Sequence, residues 1–150
     1  MYNLVIADTS CLIVLEKINR LELLHNIFDK ITITFEVKEE FGKALPTWID
    51  IETIHDRTKQ KILELELDKG EASAITLALE NEKSLLLIDE KKGRKIAQRV
   101  GLKITGTLGI LIRAKEKGMI NSLNSEIEKL KAVNFRMSNV LIEKILDKYE

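Results

Sequence analysis

Two acidic residues in this sequence directly follow short apolar runs. Asp8 follows the run Leu4–Ala7. Asp89 follows the run Leu85–Ile88. This pattern is typical of a buried strand in a parallel sheet, where a continuous apolar run is followed by polar residues at its C-terminal end. Ligands bind at the carboxyl ends of such strands, so we expect both acids to lie in one site at the ends of neighbouring strands.

Two glutamates on predicted helices are further candidates. Glu40 lies within the apolar stripe of one helix, where an unpaired carboxylate is costly. Glu71 lies in the first turn of an alanine-rich helix. Each has a simpler interpretation, Glu40 as a surface charge and Glu71 as an acid favoured by the helix dipole. Asp8, together with Thr9 and Ser10, has the simpler interpretation of a helix cap.

The candidate acids offer only oxygen ligands: Asp8, Glu40, Glu71 and Asp89, with Glu90 as a substitute. Hard divalent cations such as Mg²⁺ and Mn²⁺ prefer these ligands. Bound cations of this kind activate water and stabilise the leaving oxygen when a phosphodiester is cleaved. Like charges in one cleft also repel each other unless a cation is present. The acids therefore predict a Mg²⁺ or Mn²⁺ site.

The most basic segment of the chain comes directly after these acids. The formal net charge is zero, so contact with nucleic acid has to come from such a local patch. The segment is either a solvated helix face or a flank that binds phosphates beside the acids. Its candidate phosphate-binding residues are Lys91, Lys92, Arg94 and Lys95.

Length and composition exclude several classes of protein. A chain of 150 residues with 45% hydrophobic residues is not disordered and predicts one domain, residues 1–150. The single cysteine, Cys11, cannot form an internal disulfide and is most simply a core residue. Two scattered histidines, His25 and His55, argue against a Cys–His enzyme or a zinc site. The sequence lacks a signal-peptide pattern and an apolar stretch of membrane-spanning length, so we expect a soluble cytoplasmic protein.

Strand and helix patterns alternate along the chain. This alternation predicts βαβ units, a mainly parallel sheet of four or five strands and helices on both faces. The segment from Trp48 to Ile54 is irregular or a short extended stretch, and Phe35 to Ala44 has helical spacing. The four strand candidates are Leu4–Ala7, Ile31–Thr34, Leu85–Ile88 and Lys103–Thr105.

Five segments of the chain resemble the motifs of a known superfamily in their residues, order and spacing: Ile6–Ser10, Val37–Phe41, Gly70–Ala72, Leu87–Glu90 and Gly106–Gly109. With them the chain resembles the PIN-domain proteins, which include the ribonuclease toxins of type II toxin–antitoxin pairs. The resemblance covers essentially the whole chain. The ending Asn134–Ser138 is similar to that of one poorly characterised subgroup.

The resemblance implies a three-layer α/β/α fold and a Mg²⁺- or Mn²⁺-dependent endoribonuclease that binds RNA. It implies a homodimer, for which the helices in Leu12–Phe28 and the helix after Glu71 are candidate contacts, and an antitoxin partner if the protein is a toxin. The family's four acids match the four candidate acids above. The expected supporting hydroxyls are those of Thr9, Ser10 and Thr107.

Two departures from the family pattern concern the site. Glu71 stands where the family more often has Asp, and Leu87 stands where many members have Thr or Ser. One alternative is a catalytically silent PIN-like module that binds RNA or a protein, although four retained acids argue against it. Another is a flavodoxin-like nucleotide or phospho-acceptor domain, which gives no reason for Glu40 and Glu71.

Overall fold

The computed structural model describes residues 1–150, with five strands and nine helices. Along the chain these are β1 (Leu4–Ala7), α1 (Thr9–Lys17), α2 (Glu22–Phe28), β2 (Ile31–Thr34), α3 (Phe35–Phe41), β3 (Ile49–Glu52), α4 (Arg57–Leu63), α5 (Lys69–Glu80), β4 (Ser84–Leu87), α6 (Lys91–Arg99), β5 (Lys103–Thr105), α7 (Thr107–Glu116), α8 (Leu123–Ala132) and α9 (Asn139–Tyr149).

All five strands form one parallel sheet in the order β3-β2-β1-β4-β5. Strands β1 and β4 are neighbours, with Ala7 opposite Leu87, so the expectation that the two acid-tipped strands pair is confirmed. The stretch after Trp48 forms β3, an edge strand paired with β2. Three of its four residues are exposed, which explains why its apolar pattern is weak.

Helices cover both faces of the sheet. Successive residues of a strand point to opposite faces, and in β1 Val5 and Ala7 join one apolar cluster while Ile6 joins the other. The larger cluster holds 25 buried residues and draws on α1, α2, α3, α7, α8 and α9. The smaller cluster holds 11 and is covered by α5 and α6. The predicted three-layer α/β/α architecture is confirmed.

The alanine-rich helix α5 is buried on every side between the sheet and its neighbouring helices. All residues from Gly70 to Ala78 are buried within this one chain. The expectation that this helix contacts a second copy is therefore wrong, because its small side chains already pack closely against the chain's own elements.

Helix α3 is shorter than its spacing predicts, because Gly42 ends it. Gly42 has a left-handed φ of 66°, and its N–H donates to the carbonyl of Lys38. A glycine in this conformation is a common helix end, and Ala44 beyond it is exposed. Glu40 therefore lies in the last turn of α3. Every helix in the structure is either too short or too polar to cross a membrane.

Candidate functional site

Asp8 follows the central strand β1 and is almost completely buried. Its backbone N–H donates to the carbonyl of Leu87 at 2.9 Å, which ties the end of β1 to β4. The side chain is 2% exposed, and its Oδ2 accepts from the hydroxyl of Ser10 at 3.2 Å. Asp8 precedes α1 at the N-cap position but makes no side-chain cap bond, so the cap interpretation is wrong. Its other oxygen, Oδ1, is buried without a hydrogen-bond partner.

The surroundings of Asp8 favour its neutral form. Burial raises the pKa of Asp8 to about 7, and the negative charges of Asp68 and Glu40 add to this effect. The nearby backbone N–H of Thr9 and the hydrogen bond from the hydroxyl of Ser10 oppose the shift only in part. Asp8 therefore lies in a region that accumulates negative charge and would gain from a cation.

Glu40 is held between α1 and α5. Its Oε1 accepts from the hydroxyl of Thr9 at 2.6 Å, and its Oε2 accepts from the N–H of Gly70 at 3.2 Å. A Cβ at position 70 would collide with the Glu40 carboxyl group, so only glycine leaves room for this approach. Although exposed, Glu40 is not a free surface charge, because donors from two other helices orient it.

Glu71 forms a reciprocal cap with Asp68 at the start of α5. The N–H of Glu71 donates to Asp68 Oδ1 at 2.8 Å, and the N–H of Asp68 donates to Glu71 Oε1 at 3.3 Å. The sequence reasoning missed Asp68, although an acid three residues before Glu71 has the spacing of a capping box. Glu71 is 6% exposed and its Oε2 is buried without a donor. Burial, contact with Glu90 and the charges of Asp68 and Asp8 raise the pKa of Glu71.

Glu90 meets Glu71 beside Gly93. A Cβ at position 93 would lie 3.2 Å from Glu71 Oε2 and 3.5 Å from Glu90 Oε2, so both carboxyl groups are on this side of the glycine. The side chain of Glu90 caps α6, accepting from the N–H groups of Lys92 and Gly93 at 3.1 and 2.7 Å. Burial opposes their effect, but these bonds lower the pKa of Glu90.

Asp89 is held by the start of α7. Its Oδ1 accepts from the N–H of Thr107 at 2.8 Å, and its Oδ2 accepts from the hydroxyl of the same residue at 2.6 Å. Burial raises the pKa of Asp89, while these bonds and the positive charge of Arg94 oppose the rise. Arg94 is anchored nearby, because its Nη1 donates to the carbonyl of Ile88 at 2.8 Å.

Cys11 is a core residue, as predicted. Its side chain is fully buried, and the hydroxyl of Thr107 lies 3.7 Å from its sulfur. Burial and the charges of Asp89 and Asp8 raise the pKa of the thiol. A thiol held in its neutral form is a poor nucleophile, so Cys11 packs between the acids and does not take part in their chemistry.

The acids lie in two places at this edge of the sheet. The charges of Asp68 and Glu40 act on Asp8, and those of Asp68 and Asp8 act on Glu71, whereas Asp89 is paired with Thr107. As the side chains stand, no three Asp, Glu, His or Cys groups are arranged to hold a metal ion. The donor set nevertheless suits a hard cation. Asp8 Oδ1 and Glu71 Oε2 are buried carboxylate oxygens without a hydrogen-bond partner. A bound cation would interact favourably with both.

The basic residues after Asp89 lie on α6 at the same edge. Lys91, Lys92 and Lys95 are exposed, and Arg94 is half-buried. The structure therefore places positive side chains beside the acids, but only Arg94 has a hydrogen bond to the protein that holds it in place.

The chain folds as a parallel sheet between two layers of helices, and acidic side chains lie at the C-terminal ends of its central strands. These two features place it in the class of α/β proteins with an acidic site. A family model described as "DUF3368: PIN domain" matches residues 4–150, and the chain belongs to this family of PIN domains. PIN domains are generally nucleases that use divalent metal ions and bind RNA. Comparison with curated proteins and with solved structures gave no match.

Proposed function

We propose that this chain is a Mg²⁺- or Mn²⁺-dependent endoribonuclease that hydrolyses RNA phosphodiester bonds. The buried carboxyl group of Asp8 carries the proposal. It lies at the end of the central strand among other acids, and one of its oxygens has no hydrogen-bond partner. Burying such a group is costly unless a ligand compensates it. In this proposal residues 1–150 act as one PIN-like domain in the cytoplasm.

The proposed metal ligands are Asp8, Glu40, Glu71 and Asp89, with Glu90 as a substitute. A bound divalent cation lowers the pKa of a water molecule and neutralises charge that develops on the phosphate. The hydroxyl groups of the site orient the ligands, because Thr9 donates to Glu40, Ser10 to Asp8 and Thr107 to Asp89.

The proposed RNA-binding residues lie on α6. Lys91, Lys92 and Lys95 are exposed and Arg94 is half-buried beside Asp89. Because the chain has no net charge, these side chains supply the local positive field that attracts a polyanion. Contacts of this kind position the backbone of RNA and carry little sequence information.

The family also leads us to propose that the protein is the toxin of a type II pair, with an antitoxin partner, and that it forms a homodimer. The helix α5 is buried within one chain. The remaining candidate contact from the sequence is the region of α1 and α2, within Leu12–Phe28.

Cleavage of a labelled single-stranded RNA tests the proposed activity. We expect wild-type protein to cut it with Mn²⁺ or Mg²⁺ and not with EDTA. The D8N variant should lose activity by at least about a hundredfold, since losing one strong electrostatic contribution to catalysis typically costs that much. The matched control is D50N, because Asp50 is an exposed carboxylate on β3 whose ion pair with Lys30 lies on the surface.

Three outcomes would contradict the proposal. Metal-independent cleavage, or equal cleavage by D8N and wild type, would show that Asp8 does not hold a catalytic cation. RNA binding by the wild type without any cleavage would instead identify the catalytically silent module.

A further inference from the structure

A groove of about 610 Å³ opens beside Asp89, and neither Asp8 nor Glu71 lines it. Helix α6 lines it as one wall, and the turn between β5 and α7 lines it as a second. The third wall comes from the chain between α8 and α9 together with the start of α9. The volume is within the usual range for small-ligand sites, and the proposed function leaves the third wall without a role.

The charged side chains that line this groove are mostly positive. Lys91, Arg94 and Lys95 come from α6, and Arg136 comes from the segment between α8 and α9. The single acidic residue of the lining is Asp89, whose oxygens already accept from Thr107. In a chain without net charge, this arrangement favours an anionic ligand.

The same groove has an aromatic side chain in its third wall. Phe135 is half-buried, packs at one side against the larger apolar cluster and lines the groove. Leu141 of α9 lines the same wall and is 41% exposed. Aromatic side chains beside a positive groove are the usual means by which proteins hold single-stranded nucleic acid, since any base can stack on a ring.

Local backbone geometry directs the segment that carries Phe135 and Arg136. Asn134 has a left-handed φ of 63°. Its N–H donates to the carbonyl of Lys131 at 3.0 Å, and the N–H of Phe135 donates to the carbonyl of Leu130 at 3.0 Å. These two bonds form a Schellman motif that ends α8. The motif fixes the direction of the chain at the point where it enters the groove lining with Phe135 and Arg136.

We propose that this groove binds one nucleotide of single-stranded RNA next to the bond that is cut. Phe135 stacks on the base, while Arg136 and Lys95, which come from different segments of the lining, contact its phosphates. The inference rests on the proposed function, because it names part of the substrate site of that activity. It requires an unpaired base, since bases inside an RNA duplex are not available for stacking on a side chain.

Binding of a fluorescent single-stranded RNA in EDTA, measured by anisotropy at several salt concentrations, tests the inference without cleavage. F135L should weaken binding by about fivefold or more, because the loss of base stacking costs about 1–3 kcal/mol. It should leave the salt dependence and the affinity for blunt duplex RNA unchanged. R136Q should weaken binding and reduce the slope of log affinity against log salt by about 0.7.

Matched controls are F35L and R99Q. Phe35 is 52% exposed, Arg99 is exposed, and neither lines the groove. Both controls should bind RNA like the wild type. Leucine at position 135 keeps the apolar contact with the core, and unfolding curves check that F135L is folded. If F135L does not fold, the exposed Arg136 decides the test alone.

The outcomes separate this inference from the proposed function. If the wild type cuts RNA and F135L and R136Q bind it as the controls do, the groove does not hold the substrate and the inference is wrong. The same unchanged RNA binding is expected if the third wall contacts a protein instead of RNA. If the wild type neither binds nor cuts RNA, the proposed function itself is wrong.

Discussion

Glu40 shows how single residues control the site. The carboxyl group lies in the last turn of α3, yet its two oxygens accept from Thr9 and Gly70, which are 31 and 30 residues away in sequence. Gly70 does not have a left-handed backbone; its role is to leave space, because a Cβ would occupy the position of the Glu40 carboxyl group. At position 70, alanine would therefore favour the stability of the helix, whereas glycine favours the position of Glu40 in the site.

Replacing Gly70 by alanine tests this conflict. Alanine is favoured over glycine inside a helix by about 0.5–1 kcal/mol, so G70A should unfold at the same temperature as the wild type or higher. The displaced Glu40 should nevertheless lower RNA cleavage by about tenfold or more, which corresponds to about 1.4 kcal/mol of transition-state stabilisation. Cleavage rates and thermal unfolding of the same samples measure both effects.

The control for this substitution is G70A in an E40A background. There the carboxyl group is absent, so the added methyl group should raise stability and leave the remaining activity unchanged. Full cleavage by the single variant G70A would show that the observed position of Glu40 is not needed for the reaction.

At the scale of the elements, a salt bridge between Arg20 and Glu126 connects α8 to the turn between α1 and α2. Glu126 is 3% exposed, and its two oxygens accept from Nε and Nη2 of Arg20, each at 2.8 Å. Burial opposes ionisation, but the bonds from Arg20 and Lys129 outweigh it and lower the pKa of Glu126. The carboxylate form is therefore the one that stabilises this side of the fold.

The pH dependence of unfolding should report this contact. A pKa lowered by folding gives stability that is present above the ordinary pKa of glutamate and is lost as the pH falls through the lowered value. At neutral pH E126Q should be less stable than the wild type by about 1.5–3 kcal/mol, the range for hydrogen bonds to charged groups. Denaturant unfolding should show this difference shrinking as the pH falls below about 4.5, the ordinary glutamate pKa.

Glu128 offers a matched control on the same helix. Its side chain is 60% exposed and pairs with Lys131 at 3.2 Å. Exposed pairs of this type contribute little, so E128Q should show no comparable pH-dependent difference. A constant difference between E126Q and the wild type down to acidic pH would show that packing, and not the charge of Glu126, stabilises α8.

For the whole molecule, the buried acids are a local cost that the two apolar clusters have to offset. Asp8 Oδ1 and Glu71 Oε2 lack hydrogen-bond partners. In contrast, both faces of the sheet are covered by buried apolar side chains. A ligand that binds only the folded state stabilises it in proportion to its occupancy. Metal binding should therefore be visible in global stability, independently of catalysis.

We expect Mn²⁺ to raise the unfolding temperature of the wild type. At a concentration one hundred times the Kd, a ligand adds about 2.7 kcal/mol, which is about 5–10 °C for a chain of this size. The D8N variant should lose most of this shift, and D50N should keep it. Differential scanning fluorimetry in EDTA and in Mn²⁺ measures the difference, and equal shifts for all three proteins would argue against a cation at Asp8.

Local patterns in the sequence predict the central strands and the strand ends that carry the acids. The predicted bounds of β1, β2 and β5 agree with the structure. The continuous apolar runs of β1 and β4 indicate burial on both faces of a sheet, which is a local property, and they lead to the pairing of these two strands and to the location of Asp8 and Asp89 at one edge. The edge strand β3 was uncertain, since its exposed residues carry no such pattern.

Contacts between groups far apart in sequence depend on the tertiary packing. Glu40 accepts from Gly70, Asp68 joins the charges around Asp8, and Phe135 lines the same groove as the basic residues of α6. Local patterns encode propensity and burial, whereas these contacts depend on how helices far apart in sequence pack on the same sheet. The packing of α5 shows this most clearly: the sequence predicts an alanine-rich helix as a candidate contact with a second copy, and the fold shows that its close neighbours belong to the same chain.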